Sequence, residues 1–233
     1  MDKNIHLFDF TKSSIKKAFK TINEVEVINS LSFHPSGDFL LVAVEHPTIR
    51  LYDLNTLNCY VTSQLNNIHT SSVNYVKYDS TGRMYVSASD DGSFKIWDGI
   101  SNKCVNTFEK CHDSFQIISA CFSASGKYIL SASIDGAVRL WDIRTGQPIQ
   151  SYLNATQTNP GLSPALFNQN DDYIIYLDDK CSHGCWNSRT GEKICSTPIL
   201  SNSIIRWTAH SPCEPALVSC CEDTRIRFIH FGN

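Results

Sequence analysis

The chain has 233 residues, 42% apolar and 11% aromatic, enough to bury the core of one large all-β domain or two small ones. Its net charge of -3 and isoelectric point near 6.2 count against a basic stripe that tracks phosphates, so direct sequence-specific nucleic-acid binding is not expected. The densest basic run, Lys12 to Lys20, holds only four lysines and reads as a solvated face.

Met1 to Asn4 leads straight into a short alternating segment without an apolar signal-peptide core, and no apolar run approaches the ~20 residues of a membrane span. The ten cysteines are therefore expected as reduced thiols in the cytosol or nucleus, serving as small core residues. The sequon Asn154-Ala155-Thr156 is then expected to stay unglycosylated.

A β-branched run ending in an aromatic residue and an acid recurs along the chain. It reads IHLFD at Ile5, IRLYD at Ile49, FKIWD at Phe94, VRLWD at Val138, HGCWN at His183 and IRFIH at Ile226. The aromatic position falls at Phe8, Tyr52, Trp97, Trp141, Trp186 and, as an aliphatic, Ile229, with gaps of 44, 45, 44, 45 and 43 residues. One period, taken from the third copy, predicts a strand over Val73–Tyr78, the turn DSTG, a strand over Met84–Ser89 and the turn DDG. The motif strand Phe94–Trp97, the turn ISNK and a more polar strand over Cys104–Phe108 complete it. No segment carries the 3.6-residue apolar period of a substantial helix.

Four short strands per 40 to 45 residues with a Trp-Asp ending resemble the WD-repeat β-propellers, whose four-stranded blades surround a central channel. The expected fold is thus an all-β WD40-type propeller filling 1–233 as one domain. Whole blades are expected near 27–64, 73–109, 117–153 and 163–200, with a partial first blade over 1–21 and a partial last blade over 204–231. About five blades are present, whereas seven would need roughly 300 residues. Either the arc stays open, or the segment around Ile15 to Lys20 supplies an outer strand and closes five blades. An open arc leaves unburied apolar surface at both ends.

In that family a His before the first strand, a Ser or Thr on the second, an Asp in the next turn and the motif Trp form one hydrogen-bonded chain. The resemblance places it on His69, Ser89, Asp91 and Trp97, and again on His112, Ser133, Asp135 and Trp141. A trio of Ser, His and Asp repeated at the blade period reads as scaffolding, since a nucleophile site occurs once and carries an elbow or oxyanion arrangement. His46 and Lys180 occupy the Asp position in two other copies, where packing is expected to take over.

A narrower resemblance rests on FHPSGDFLLV at Phe33, HPTIRLYDLNT at His46, KIWDGISNKCVNTFEKCHD at Lys95, CWNSRTGEK at Cys185 and IIRW at Ile204. These stretches are similar to the WD-repeat subunits of cleavage stimulation factor. The resemblance implies a non-enzymatic nuclear role in mRNA 3′-end cleavage and polyadenylation. It also implies docking on a helical-repeat scaffold subunit, with RNA held by another subunit and no cofactor. The N-terminal dimerisation domain and first blades of that family are not seen here.

A propeller presents one face of loops to partners, and the candidate positions on it are Glu45, His46, Ser71, Asp90, Ser114, Ile134 and Asp179. A generic WD-repeat scaffold remains an alternative. So does a cullin-RING ligase substrate receptor, through the box Trp141, Asp142 and Arg144. Cys181, Cys185, Cys213 and the pair Cys220-Cys221 include zinc-ligand types, but the repeat places Cys181 to Cys185 at a turn and strand, where packing is the simpler role. No phosphate-cradling loop or dinucleotide fingerprint is present.

Overall fold

The computed structural model describes residues 3–9, 11, 17–63, 65–153, 163–177, 183–197, 205–211 and 216–230. They form six antiparallel sheets in chain order. The first pairs β1 (Asn4–Leu7) with β2 (Lys20–Asn23). The second runs β3 (Ile28–Phe33), β4 (Phe39–Val44), β5 (Arg50–Asp53) and β6 (Cys59–Tyr60). The third runs β7 (Val73–Tyr78), β8 (Met84–Ser89), β9 (Phe94–Asp98) and β10 (Cys104–Phe108). In the fourth, β11 (Ile117–Phe122), β12 (Tyr128–Ser133), β13 (Ala137–Asp142) and β14 (Pro148–Leu153) follow the same meander. The fifth is β15 (Leu166–Phe167), β16 (Tyr173–Leu177), β17 (His183–Asn187) and β18 (Lys193–Thr197), and the sixth is β19 (Ile205–His210), β20 (Ala216–Cys221) and β21 (Ile226–His230).

The second strand of each full sheet is sandwiched between neighbouring sheets, so its apolar residues run almost without interruption. FLLVAV in β4 is buried from Leu40 to Val44, and YILSAS in β12 from Ile129 to Ser133. Turns between strands use the residues their backbone demands. In DDG, Gly92 sits at φ +77°, and a Cβ there would meet the Ser114 backbone at 3.1 Å.

The cores lie between sheets. Leu41, Ala43 and Leu51 pack on Val76, Tyr78 and Tyr85, joining the second sheet to the third. Val86, Phe94 and Ile96 pack on Ile117, Ile129 and Trp141. Leu130, Leu140 and Tyr152 continue onto Ile174 and Trp186. Within the third sheet, Tyr85 and Trp97 stack at 5.9 Å between ring centres, 5° from parallel. The β1–β2 pair covers Leu40, Val42, Val44 and Tyr52 with Ile5, Leu7 and Ile22.

This stacking stops at both ends, giving the five-bladed arrangement of an incomplete propeller. Ile96 and Leu140 are buried against the following sheet, yet Phe228, at the same register in β21, is 81% exposed. On the opposite side Val76 and Tyr78 are buried, whereas their counterparts Leu31 and Phe33 in β3 are 42% and 55% exposed. Closure by the segment around Ile15 to Lys20 does not occur among the described residues. Lys20 opens β2, which pairs with β1 and extends to Asn23, two residues past the expected limit of that partial blade. Residues 12–16 lie outside the described set.

Candidate functional site

Two buried polar chains pin the third and fourth sheets. In the third, the Trp97 indole N–H donates to Ser87 Oγ at 2.8 Å. Ser87 Oγ lies 2.7 Å from His69 Nε2, and His69 Nδ1 lies 2.8 Å from Asp91 Oδ2. One proton arrangement satisfies every member: indole to serine, serine hydroxyl to Nε2, and Nδ1–H to the carboxylate. Burial lowers the His69 pKa, keeping the ring neutral, while Asp91 opposes that shift. For Asp91, burial acts to raise the pKa, but hydrogen bonds from His69, Ser93 and the Thr70 amide outweigh it and hold the carboxyl well below its usual range.

The fourth sheet repeats this with Trp141 and His112 each 2.8 Å from Ser131 Oγ. Asp135 is looser, 3.5 Å from His112 Nδ1.

Ser89 and Ser133 do not occupy the place expected of them. Ser89 Oγ donates to the Ser72 carbonyl at 2.8 Å, and Ser133 Oγ to the Gln116 carbonyl at 2.8 Å. The reason is register. Trp97 faces Tyr85 across the strands, so its indole reaches the diagonal neighbour Ser87, whereas Ser89 lies a further two residues, about 7 Å, along β8.

The second sheet also departs from expectation, since packing alone does not replace its missing set. Tyr52, in the Trp position, donates to Glu24 Oε1 at 2.6 Å, and Arg50 pairs with the same carboxylate. Glu24 precedes β3 by four residues, the spacing His69 has before β7, so a buried carboxylate stands in for the histidine. Burial, reinforced by Glu24, raises the Tyr52 pKa. Between the fifth and sixth sheets, buried His183 Nε2 lies 3.2 Å from Thr208 Oγ1, which also accepts from Ser163 Oγ at 3.0 Å.

The exposed candidates cluster at one end of the molecule. His46 carries its carbonyl to the Val73 amide, Asp90 accepts from Asn74 Nδ2 at 2.6 Å, and Ile134 hangs from the Gln116 carbonyl through its amide. Asp90 and Ile134 border a channel-mouth cavity of about 340 Å³ with Asn29, Asn74, Arg206 and Trp207. Glu45, His46 and Ser114 are exposed and Ser71 half-exposed on the neighbouring loops, while Asp179 lies outside the described residues. Two residues outside the expected set also stand here: Trp207, which stacks on Tyr75 at 5.6 Å and 26° from the far side of the arc, and Phe115, exposed beside Ser114. The available signal was an aromatic residue close to the start of a first strand, Phe115 two residues before β11 and Trp207 third in β19.

Of the ligase box, Trp141 is buried in the polar chain. Asp142 is a turn acceptor for the Arg144 and Thr145 amides at 2.7 and 3.2 Å, leaving the Arg144 side chain exposed. Cys181 and Cys213 lie outside the described residues, among which no three His, Cys, Asp or Glu side chains gather as a metal site.

A family model described as "WD domain, G-beta repeat" matches residues 19–53, 61–98 and 102–142. Cleavage stimulation factor subunit 50 of Arabidopsis thaliana is 38% identical over 229 residues, 97% of this chain and 53% of that protein. The chain thus spans about half the length of that relative. Eukaryotic translation initiation factor 3 subunit I of Anopheles gambiae is 29% identical over 124 residues, 52% of this chain and 36% of its own. The "Non-functional target of rapamycin complex subunit LST8-2" of Arabidopsis thaliana is 38% identical over 81 residues, 35% of this chain and 26% of its own. With its repeated four-stranded sheets, its Trp–Ser–His–Asp chains and these matches, the chain belongs to the WD-repeat family of β-propeller proteins.

Proposed function

We propose that the chain is a non-catalytic WD-repeat subunit of a cleavage stimulation complex, acting in the nucleus in mRNA 3′-end cleavage and polyadenylation by binding other proteins. The observation that carries this reading is the 38% identity to Cleavage stimulation factor subunit 50 across 97% of the chain. The other relatives described above cover 52% of it or less. A rigid stack of sheets pinned by buried polar chains suits a platform whose loops hold partners without moving. The absence of a basic stripe in the sequence fits a subunit that leaves RNA to others.

The partner in this reading is the helical-repeat scaffold subunit, and the contact face is the channel mouth. There Asp90, Ile134 and Trp207 line one cavity, with Glu45, His46, Ser71 and Ser114 on the loops around them. An exposed aromatic and a branched aliphatic beside polar groups supply the anchors on which binding energy concentrates.

Purification of the tagged chain from nuclei of its own cells tests this. The scaffold subunit should co-purify stoichiometrically, and Trp207→Ala or Ile134→Asp should lower its recovery about tenfold. Recovery of a ubiquitin-ligase adaptor that depends on Arg144, with no cleavage-factor subunit, would overturn the reading.

A further inference from the structure

Eight cysteines among the described residues are free thiols, in very different surroundings. Cys111 and Cys121 are enclosed, and burial pushes both thiols up to about 12. Cys220 and Cys221 are consecutive on β20 and point to opposite faces. Cys185 on β17 and Cys195 on β18 stand directly opposite one another in the antiparallel register, and no other cysteines face each other in the described strand pairs. Directly opposed residues in such a pair have Cα atoms about 4.5 or about 5.5 Å apart, and both separations fall within the span a disulfide bridges.

The same register position elsewhere holds Leu51 opposite Tyr60, Ile96 opposite Asn106 and Leu140 opposite Gln150. Leu51, Ile96 and Leu140 are buried against the next sheet. Cys185 is only partly buried, because a cavity of about 340 Å³ opens between the fifth and sixth sheets, lined by Cys185, Cys195, Ile175 and His210. The pair is therefore matched to each other and reachable from solvent.

We propose that Cys185 and Cys195 form a redox-responsive dithiol, which a peroxide-class oxidant converts into a reversible cross-strand disulfide. Cys195, the exposed member, meets the oxidant first. Its thiolate attacks one peroxide oxygen, the O–O bond breaks, the departing hydroxide takes a proton to leave as water, and a sulfenic acid remains on Cys195. Cys185 sulfur then displaces the sulfenic hydroxyl, the S–S bond forms, and a second water leaves with the Cys185 proton. The two thiols together lose two electrons and hydrogen peroxide gains them, ending as two waters. Burial raises the Cys185 thiol to about 11, with Cys195 adding to the rise, which suits it to the second step rather than to first attack. The product ties the exposed outer strand β18 to β17 beside the cavity.

The test treats the purified chain with one equivalent of hydrogen peroxide, blocks the remaining thiols and digests with trypsin. Cleavage after Arg189 and Lys193 separates the two cysteines, so the disulfide joins peptide 181–189 to peptide 194–206. Titratable thiols should fall from ten to eight and return to ten with dithiothreitol. Cys185→Ser and the exposed Cys195→Ser should each abolish the linked peptide, while Cys181→Ser should leave it intact. Three results overturn the proposal: a link that Cys181→Ser removes, both cysteines recovered unlinked as free thiols, or sulfinic acid on Cys195 with no link.

Discussion

Replacing Ser87 by alanine removes one oxygen and leaves two buried groups without a partner. The Trp97 indole N–H and His69 Nε2 both bond to that oxygen, and these residues are 2% and 1% exposed. An orphaned buried donor or acceptor costs about 1–3 kcal/mol, so the two together should cost about 2–6 kcal/mol. That is a large share of a total stability on the order of 5–15 kcal/mol. Ser89→Ala is the control that separates the two serines. The Ser72 carbonyl it abandons still accepts from the Asp90 amide at 3.0 Å, and only the part-buried Asp91 amide, 3.2 Å from Ser89 Oγ, loses its acceptor, so the loss should be about 1 kcal/mol. Urea unfolding followed by circular dichroism reads both variants. A cycle with Trp97→Phe, which removes the indole N–H, should return a coupling of about 1 kcal/mol or more. A Ser87→Ala cost below 1 kcal/mol, or one no larger than that of Ser89→Ala, would refute the assignment of Ser87 as the bridge.

Glu24→Gln should destabilise by about 1–3 kcal/mol, since it breaks the ion pair with Arg50, which keeps some solvent exposure; hydrogen exchange should quicken at Ile5, Leu7 and Ile22, which the β1–β2 pair contributes to the core. Gly92→Ala places a Cβ 3.1 Å from the Ser114 backbone at positive φ, whereas Gly37→Ala meets positive φ alone. Thermal unfolding should therefore show the larger loss at Gly92, by about 1 kcal/mol or more. Burial lowers the His183 pKa to about 4 from its ordinary 6.5, so the unfolded chain binds the extra proton first as pH falls. The stability this neutral ring allows is present above pH 6.5 and declines between 6.5 and 4, by on the order of 3 kcal/mol. His183→Gln should flatten that part of the stability profile, and an unchanged slope would count against the assignment.

The strand order and the blade period were legible because both are local. The short apolar run in Met84–Ser89, the glycine turn at Gly92 and the aromatic ending at Trp97 each depend on residues a few positions apart. The recurrence of His69 and His112 before their blades was legible for the same reason. Which serine meets the indole was not, because Ser87 and Ser89 share one face of β8 and only the pairing of Tyr85 with Trp97 chooses between them. Glu24 replacing a histidine was hidden as well. A carboxylate in that loop becomes a lock only when Arg50 and Tyr52 arrive from another strand to neutralise and bond it.

Distances across the molecule belonged entirely to the tertiary structure. Trp207 reaches Tyr75 although 132 positions separate them, and Cys185 meets Cys195 because the β17–β18 register sets them face to face. Exposure at Leu31 and Phe228 follows the same logic. Each is an ordinary core residue by type and spacing, and only the presence or absence of a neighbouring sheet decides whether it is buried. The blade is written in the local sequence, because it is built from near neighbours. The stacking of blades, and with it the mouth, the cavity and the open faces, was decided by packing between segments that no local pattern brings together.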